Sequence, residues 1–100
     1  MLKTVREILE RRMKLHPEDY YRIEQCRNEL IEALSQDEWL TIDILKQLNE
    51  KEFLYTSEVF EEIAYNLQSV NYINCLKEIE RKFPSLDLKS WVEDAEKCIL

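Results

Sequence analysis

The sequence predicts an all-α fold: a compact bundle or small stack of about six short antiparallel helices, in a single domain spanning residues 1–100. Three observations predict it. Glycine is absent and proline occurs only twice, so the chain has few residues suited to the tight turns that join β-strands. Apolar residues make up 45% of the chain, enough for one modest core. Along most of its length they recur at spacings of three and four, the period of a helix with one buried face.

The first two helices are predicted on either side of His16-Pro17. Thr4 and Glu7 form a capping-box pattern before a helix over about 4–14. Proline disfavours the helical conformation of the residue before it, which ends this helix, and it suits the first turn of the next one. The second helix continues to about Ser35, with an apolar stripe made of Tyr20, Ile23, Cys26, Leu30, Ile31 and Leu34.

The middle of the chain is predicted to hold a short helix and a longer one. We expect Asp37–Leu40 to be a polar connection, after which Thr41 caps the short third helix. Asn49 and Glu52 repeat the capping-box pattern at the start of a fourth helix over about 50–67.

Two further helices complete the prediction. Ser69 is the expected cap of the fifth helix, which ends at Phe83-Pro84, and Asp87 is the expected cap of the sixth. The core side of the last three helices is expected to include Phe53, Leu54, Phe60, Ile63, Tyr72, Leu76, Trp91 and Val92.

Negative charge is concentrated in the middle of the chain. Residues 18–65 contain thirteen acidic and four basic side chains, a local charge of −9 in a protein whose total is −7. Such a field speeds encounter with a basic partner by roughly ten- to a thousand-fold and repels nucleic acid and anionic lipid. We therefore expect a protein partner with a basic surface, and neither a nucleic acid nor a membrane.

The chain lacks the residue sets that metal sites and active sites require. His16 is the only histidine, and Cys26, Cys75 and Cys98 are too far apart in sequence for a zinc motif. Without glycine there is no phosphate-binding loop. We expect no metal, no cofactor and no enzymatic activity.

Three widely spaced cysteines favour reduced, buried thiols over a disulfide framework. No apolar run is long enough to span a bilayer, and the N-terminus has no apolar signal core. The expected location is the cytoplasm.

The predicted fourth helix carries the first candidate binding surface. Tyr55, Glu58, Glu62 and Tyr65 are spaced three, four and three apart, which places them in one stripe with Glu61 beside it. An ordinary charged face with tyrosine rings tucked along the core edge would give the same pattern. Alternatively, tyrosines supply rigid contact area and carboxylates pair with Arg or Lys, as in a recognition surface.

Asp37, Glu38 and Trp39 form the second candidate. A tryptophan in a connection is either folded back onto the core or displayed as an interface anchor. If this connection lies near the end of the fourth helix, the two candidates belong to one acidic patch.

Two segments, residues 49–65 and 75–88, resemble a pattern in small helical immunity proteins of bacterial contact-dependent growth inhibition and related polymorphic toxin systems. The resemblance covers roughly residues 18–99. It implies a monomeric protein that binds the C-terminal domain of one cognate toxin in the cytoplasm and blocks its activity. Many such toxins are nucleases with cationic clefts. The residues expected to meet the toxin are Glu58, Glu61, Glu62, Asp37 and Glu38 as charge partners and Tyr55, Tyr65 and Trp39 as anchors, and reversing Glu58, Glu61 and Glu62 to lysine is expected to leave the fold intact.

Two other kinds of binding protein fit the same composition. An acidic helical adaptor or regulator would bind another basic or amphipathic protein segment. A nucleic-acid mimic would spread its acids along one face at phosphate-like spacing, instead of grouping them around tyrosine and tryptophan.

Overall fold

All regular secondary structure in the computed structural model, which describes residues 1–100, is helical, and this confirms the all-α prediction. The α-helices are α1 (Leu2–Lys14), α2 (Tyr20–Leu34), α3 (Glu38–Gln47), α4 (Glu50–Thr56), α5 (Phe60–Leu67), α6 (Val70–Lys82) and α7 (Lys89–Glu96). Two 3₁₀ turns, Ser57–Val59 and Pro84–Leu86, complete the regular structure.

Helices α1 and α2 begin at residues other than those predicted, whereas α4 begins at its predicted cap. Helix α1 already begins at Leu2, so Thr4 lies inside the helix and does not cap it. Helix α2 begins after Asp19, whose carboxylate accepts a hydrogen bond from the Arg22 N–H at 3.4 Å. Helix α4 has the predicted capping box, with Asn49 and Glu52 exchanging two hydrogen bonds of 2.8 Å.

The start of α3 was predicted wrongly. Asp37, not Thr41, is the cap: its carboxylate accepts a hydrogen bond from the Leu40 N–H at 2.9 Å. Aspartate caps at least as well as threonine, and the residues after it can all be helical. Thr41 is buried instead, and its hydroxyl donates to the Leu34 carbonyl at 2.7 Å. The predicted polar connection is therefore the first turn of a helix.

Of the caps predicted for the last two helices, one is correct and one is wrong. Ser69 caps α6, accepting a hydrogen bond from the Tyr72 N–H at 3.0 Å. Asp87 does not cap α7: it has a φ of 54°, in the left-handed region, and ends the 3₁₀ turn that Pro84 begins. Aspartate is one of the few residues that adopts this conformation readily, so it reverses the chain before α7 begins at Lys89.

The predicted fourth helix is interrupted. Within residues 50–67, the 3₁₀ turn Ser57–Val59 separates α4 from α5. Two hydroxyls compete there for helical carbonyls: Thr56 donates to the Glu52 carbonyl at 2.8 Å, and Ser57 donates to the Leu54 carbonyl. The angle between successive side chains about the helix axis differs in this turn from that in an α-helix. Residues before and after the turn that are spaced three or four apart therefore do not all lie on one face.

The core is one cluster of 23 buried residues to which every helix contributes. Helix α1 packs along α2, α3 packs on α6, and α5 packs on α7. Tyr72 and Phe53, both fully buried, are its largest side chains. The Tyr72 hydroxyl donates to the Phe60 carbonyl at 3.0 Å, which satisfies the polar tip inside the core and ties α6 to the start of α5.

Three residues predicted to face the core are largely exposed instead. Tyr20 is 76% exposed, Trp91 50% and Leu54 39%. Tyr20 is the first residue of its helix. Trp91 and Leu54 each lie one residue, or about 100° around the helix, from a buried neighbour.

Candidate functional site

The structure separates the predicted recognition stripe into two parts. Tyr55 and Glu58 are half-buried and face α1 and α2, whereas Glu61, Glu62 and Tyr65 are exposed on α5. The 3₁₀ turn between α4 and α5 causes this separation, because it changes which side of the chain faces the solvent.

Glu58 is the centre of an ion-pair network within the chain, which we call the Glu58 cluster (Arg12, Arg27, Tyr55 and Glu58). The Arg12 guanidinium donates to both carboxylate oxygens of Glu58, at 2.8 and 2.7 Å, and Arg27 donates a third hydrogen bond at 3.0 Å. The same guanidinium lies 5.1 Å from the centroid of the Tyr55 ring. Only 20% of the Glu58 side chain is exposed. Tyr55 and Glu58 were both predicted to contact a partner, but each already contacts an arginine of the same chain.

The hydrogen bonds of this cluster stabilise the charged form of Glu58. Partial burial acts to raise the pKa of its carboxyl, but the hydrogen bonds and charges of Arg12 and Arg27 outweigh burial, so the pKa is lowered. The hydrogen bond to Glu58 in turn raises the pKa of Arg12. Glu58 and Arg12 are thus both charged at neutral pH.

This shift predicts a specific loss of stability in acid. Because the folded-state pKa of Glu58 lies below the unfolded value of about 4.3, its contribution is complete above that value and disappears as the pH falls through the folded pKa. We expect the free energy of unfolding, measured by urea titration between pH 7 and pH 3, to fall more steeply for the wild-type protein than for Glu58→Gln. Parallel curves for the two proteins would contradict the assignment.

The other candidate residues come together at one end of the molecule. The Asn66 amide of α5 donates to the Ser35 hydroxyl at 3.0 Å, and the Ser69 hydroxyl at the start of α6 donates to Glu38. These two hydrogen bonds hold the connection between α2 and α3 against the end of α5. The prediction of a single acidic patch required this connection to lie near the end of the predicted fourth helix, and in the structure the two are close.

We call this surface the acidic pole and define it as Asp37, Glu38, Trp39, Glu61, Glu62 and Tyr65. The rings of Trp39 and Tyr65 are each 61% exposed. The tryptophan is thus displayed and not folded back onto the core. None of the four carboxylates makes a salt bridge within the chain. Asp37 and Glu38 are held in place by their hydrogen bonds to the Leu40 N–H and the Ser69 hydroxyl.

Three acids elsewhere in the acidic segment are paired by arginines of α1. Besides the Arg12 contact with Glu58, Arg6 lies 3.0 Å from Glu52 and Arg11 lies 2.8 Å from Glu29. The basic N-terminal helix thus neutralises part of the side on which it packs. Carboxylates without a salt bridge remain at the acidic pole and elsewhere in the segment, at Glu18, Glu32, Asp43 and Glu50.

A shallow groove opens beside Tyr65. It has a volume of about 420 Å³, and we call it the Tyr65 groove; its lining residues are Ile31, Glu61, Glu62, Tyr65, Asn66 and Cys98. Gln68 holds its far wall, donating to the Cys98 carbonyl at 2.9 Å and accepting from the Leu100 N–H at 2.8 Å. Partial burial, together with the negative charges of Glu61 and Glu62, raises the pKa of the Cys98 thiol.

Three residues of this groove were not predicted as part of a site: Ile31, Asn66 and Cys98. For two of them the predicted environment also differs from the observed one. Ile31 was assigned to the core side of its helix, and Cys98 was expected to be a buried thiol, but both are half-buried at the surface. Nothing in the local pattern distinguishes them, because the groove forms only where α2, α5 and the C-terminal residues meet.

The remaining reactive side chains do not form a site. Cys26 and Cys75 are buried, as predicted, and burial raises the pKa of the Cys75 thiol to about 11. His16 accepts a hydrogen bond from the Glu18 N–H at 3.1 Å, a local turn contact. No group of three or more metal-ligating side chains converges. None of the helices combines the length and apolar character needed to cross a bilayer.

Comparison of the chain with family models, curated proteins and solved structures finds no match.

Proposed function

We propose that this protein is an immunity protein, which binds the C-terminal domain of one cognate toxin and neutralises it by covering a basic active-site cleft. The expected toxin is a nuclease. The protein acts as a stoichiometric inhibitor and not as a catalyst, as a monomer in the cytoplasm of the cell it protects.

The observation that carries the proposal is the acidic pole. Its four carboxylates have no salt-bridge partners, Trp39 and Tyr65 are exposed, and the helix ends that carry them are joined by the contacts of Asn66 with Ser35 and of Ser69 with Glu38. Asp37 and Glu38 are already held by hydrogen bonds to the Leu40 N–H and the Ser69 hydroxyl, so these two side chains lose little conformational entropy on binding.

Each residue type at the acidic pole suits a nuclease cleft. Such a cleft is lined with lysine and arginine to hold phosphates, and carboxylates can take the place of those phosphates. Trp39 and Tyr65 supply the large, rigid side chains that dominate binding energy at the centre of protein interfaces. Grouping of the acids around these rings disfavours a nucleic-acid mimic. The resemblance of residues 49–65 and 75–88 to immunity proteins adds the toxin as the class of partner.

The Glu58 cluster lies outside the proposed interface. Reversal of Glu58 would place a lysine against Arg12 and Arg27, so the expectation that a triple reversal leaves the fold intact is corrected to a double reversal at Glu61 and Glu62.

The test is co-purification with the product of the neighbouring gene, followed by assay of that product's nuclease activity with and without this protein. We expect Glu61→Lys with Glu62→Lys to weaken the complex about thirty-fold, chiefly by slowing association, since each reversed rim charge costs about 1 kcal/mol. The matched control is Glu18→Lys with Glu78→Lys, which changes the net charge equally at exposed positions outside the acidic pole.

Three outcomes would count against parts of this proposal. Equal weakening by the control pair would mean that overall charge, not the acidic pole, drives binding. A complex that leaves the partner's activity unchanged would favour the acidic adaptor. The absence of any complex would reject the toxin as partner.

A further inference from the structure

The protein already binds one arginine side chain, its own Arg12, and the contacts show which residues do so. The two carboxylate oxygens of Glu58 receive one edge of the guanidinium, from Nε at 2.8 Å and from Nη2 at 2.7 Å, and the centroid of the Tyr55 ring lies 5.1 Å from the guanidinium. The tyrosine and the glutamate are three residues apart in sequence. This chain therefore holds a guanidinium between a carboxylate and the face of a tyrosine.

The Tyr65 groove presents the same two groups to the solvent. Glu62 and Tyr65 are also three residues apart, on consecutive turns of α5, and Glu61 adds a second carboxylate beside them. Unlike Tyr55 and Glu58, these three side chains are exposed and make no salt bridge within the chain. Ile31 adds an apolar wall along which the methylenes of a long side chain can lie.

We propose that the Tyr65 groove binds one arginine side chain of a basic protein partner, with the guanidinium against the Tyr65 ring and paired with Glu62 or Glu61, as Arg12 is held by Tyr55 and Glu58. The inference rests on the proposed function for the partner's identity, a toxin domain with a basic cleft. It adds the chemical group recognised and the place where that group enters.

Arginine fits this groove better than lysine for geometric reasons. Its planar guanidinium can stack on an aromatic ring and still offer two parallel N–H groups to a carboxylate, whereas an ammonium is a compact, strongly hydrated charge. The groove also carries excess negative charge, because Glu61 and Glu62 both line it. No lysine, arginine or histidine lines the groove, so no positive charge there repels an entering guanidinium.

The experiment titrates the ¹⁵N-labelled protein with two capped tripeptides, acetyl-Gly-Arg-Gly-amide and acetyl-Gly-Lys-Gly-amide, at constant ionic strength, and follows amide chemical shifts. We expect the arginine peptide to shift the amides of Ile31, Glu62, Tyr65 and Cys98, and to bind about fivefold more tightly than the lysine peptide. Tyr65→Leu and Glu62→Gln should each weaken arginine binding about fivefold. Glu18→Gln, an exposed acid outside the groove, should leave it unchanged.

Equal binding of the two peptides, insensitivity to Tyr65→Leu, or shifts centred elsewhere would overturn the arginine site. Because the tripeptides need no toxin, this result is separate from the test of the proposed function. A toxin complex with no arginine binding in the groove would reject this inference alone. Arginine binding in the groove without a toxin complex would reject the immunity function and leave the site in place.

Discussion

Reversing Glu58 to lysine is expected to lower the free energy of unfolding by about 3 kcal/mol. The substitution removes three charge-assisted hydrogen bonds and leaves Arg12, whose side chain is only 16% exposed, facing a third positive charge. Breaking a fully buried pair by removing one partner costs about 3 to 5 kcal/mol, and partial exposure here lowers that cost while reversal of the charge raises it. In a domain of this size the melting temperature should fall by more than 10 °C, at about 4 to 8 °C per kcal/mol.

Urea denaturation followed by circular dichroism measures this loss directly. Glu58→Gln, which keeps the shape and removes the charge, should lose less than Glu58→Lys. Glu61→Lys, an identical change at an exposed position three residues away, should stay within about 0.5 kcal/mol of the wild type. If Glu58→Lys is as stable as Glu61→Lys, the Glu58 cluster contributes nothing to the stability of the fold. Glu58 would then again be a candidate for contact with a partner.

Truncating Phe53 to alanine is expected to cost about 4 kcal/mol. The side chain is fully buried, and its ring centroid lies 5.1 Å from that of Phe60 and 6.2 Å from that of Phe83. Phenylalanine-to-alanine changes in protein cores cost about 3 to 5 kcal/mol, because the removed atoms leave a cavity that the surroundings fill only in part. Since domains have only about 5 to 15 kcal/mol of stability, this variant should be marginally folded.

The neighbouring residue provides the control for Phe53→Ala. Leu54→Ala removes an apolar side chain from the same helix at a position that is 39% exposed, and it should cost less than about 1 kcal/mol. Similar losses for both variants would show that the helix, and not the aromatic cluster, is the sensitive element. Phe60 is the first residue of α5, so loss of the Phe53 contact also loosens the helix that carries the acidic pole.

Caps and buried stripes with a strong local signal were predicted well. The Asn49–Glu52 capping box and the Ser69 cap depend on residues three positions apart and need no long-range contact, whereas the Thr4–Glu7 pattern forms no cap because α1 already begins at Leu2. Where two caps compete, local reasoning was less reliable. Asp37 caps α3 in place of the predicted Thr41. The Thr41 hydroxyl is buried and donates to the Leu34 carbonyl instead, a contact that depends on how α2 and α3 pack.

The candidate site was predicted in composition but not in arrangement. The sequence assigned Tyr55, Glu58, Glu62 and Tyr65 to one stripe, and only the 3₁₀ turn and the arginines of α1 and α2 show that Tyr55 and Glu58 are internal contacts. The partners of Glu58 are 46 and 31 residues away in sequence. No periodicity argument reaches across such distances.

The sequence by itself determined that this protein is helical, that it is acidic in its middle, and that it has one histidine and no glycine, because these properties follow from composition and from contacts within a few residues. Only the tertiary structure decided which acids remain available. Packing of the basic helix α1 against α2 and α4 pairs Glu29, Glu52 and Glu58, and the contacts of Ser35 with Asn66 and of Glu38 with Ser69 bring the start of α3 to the end of α5, where four carboxylates make no salt bridge. The physical reason is that charge is a property of residues, whereas a charged surface depends on which residues the fold places beside one another.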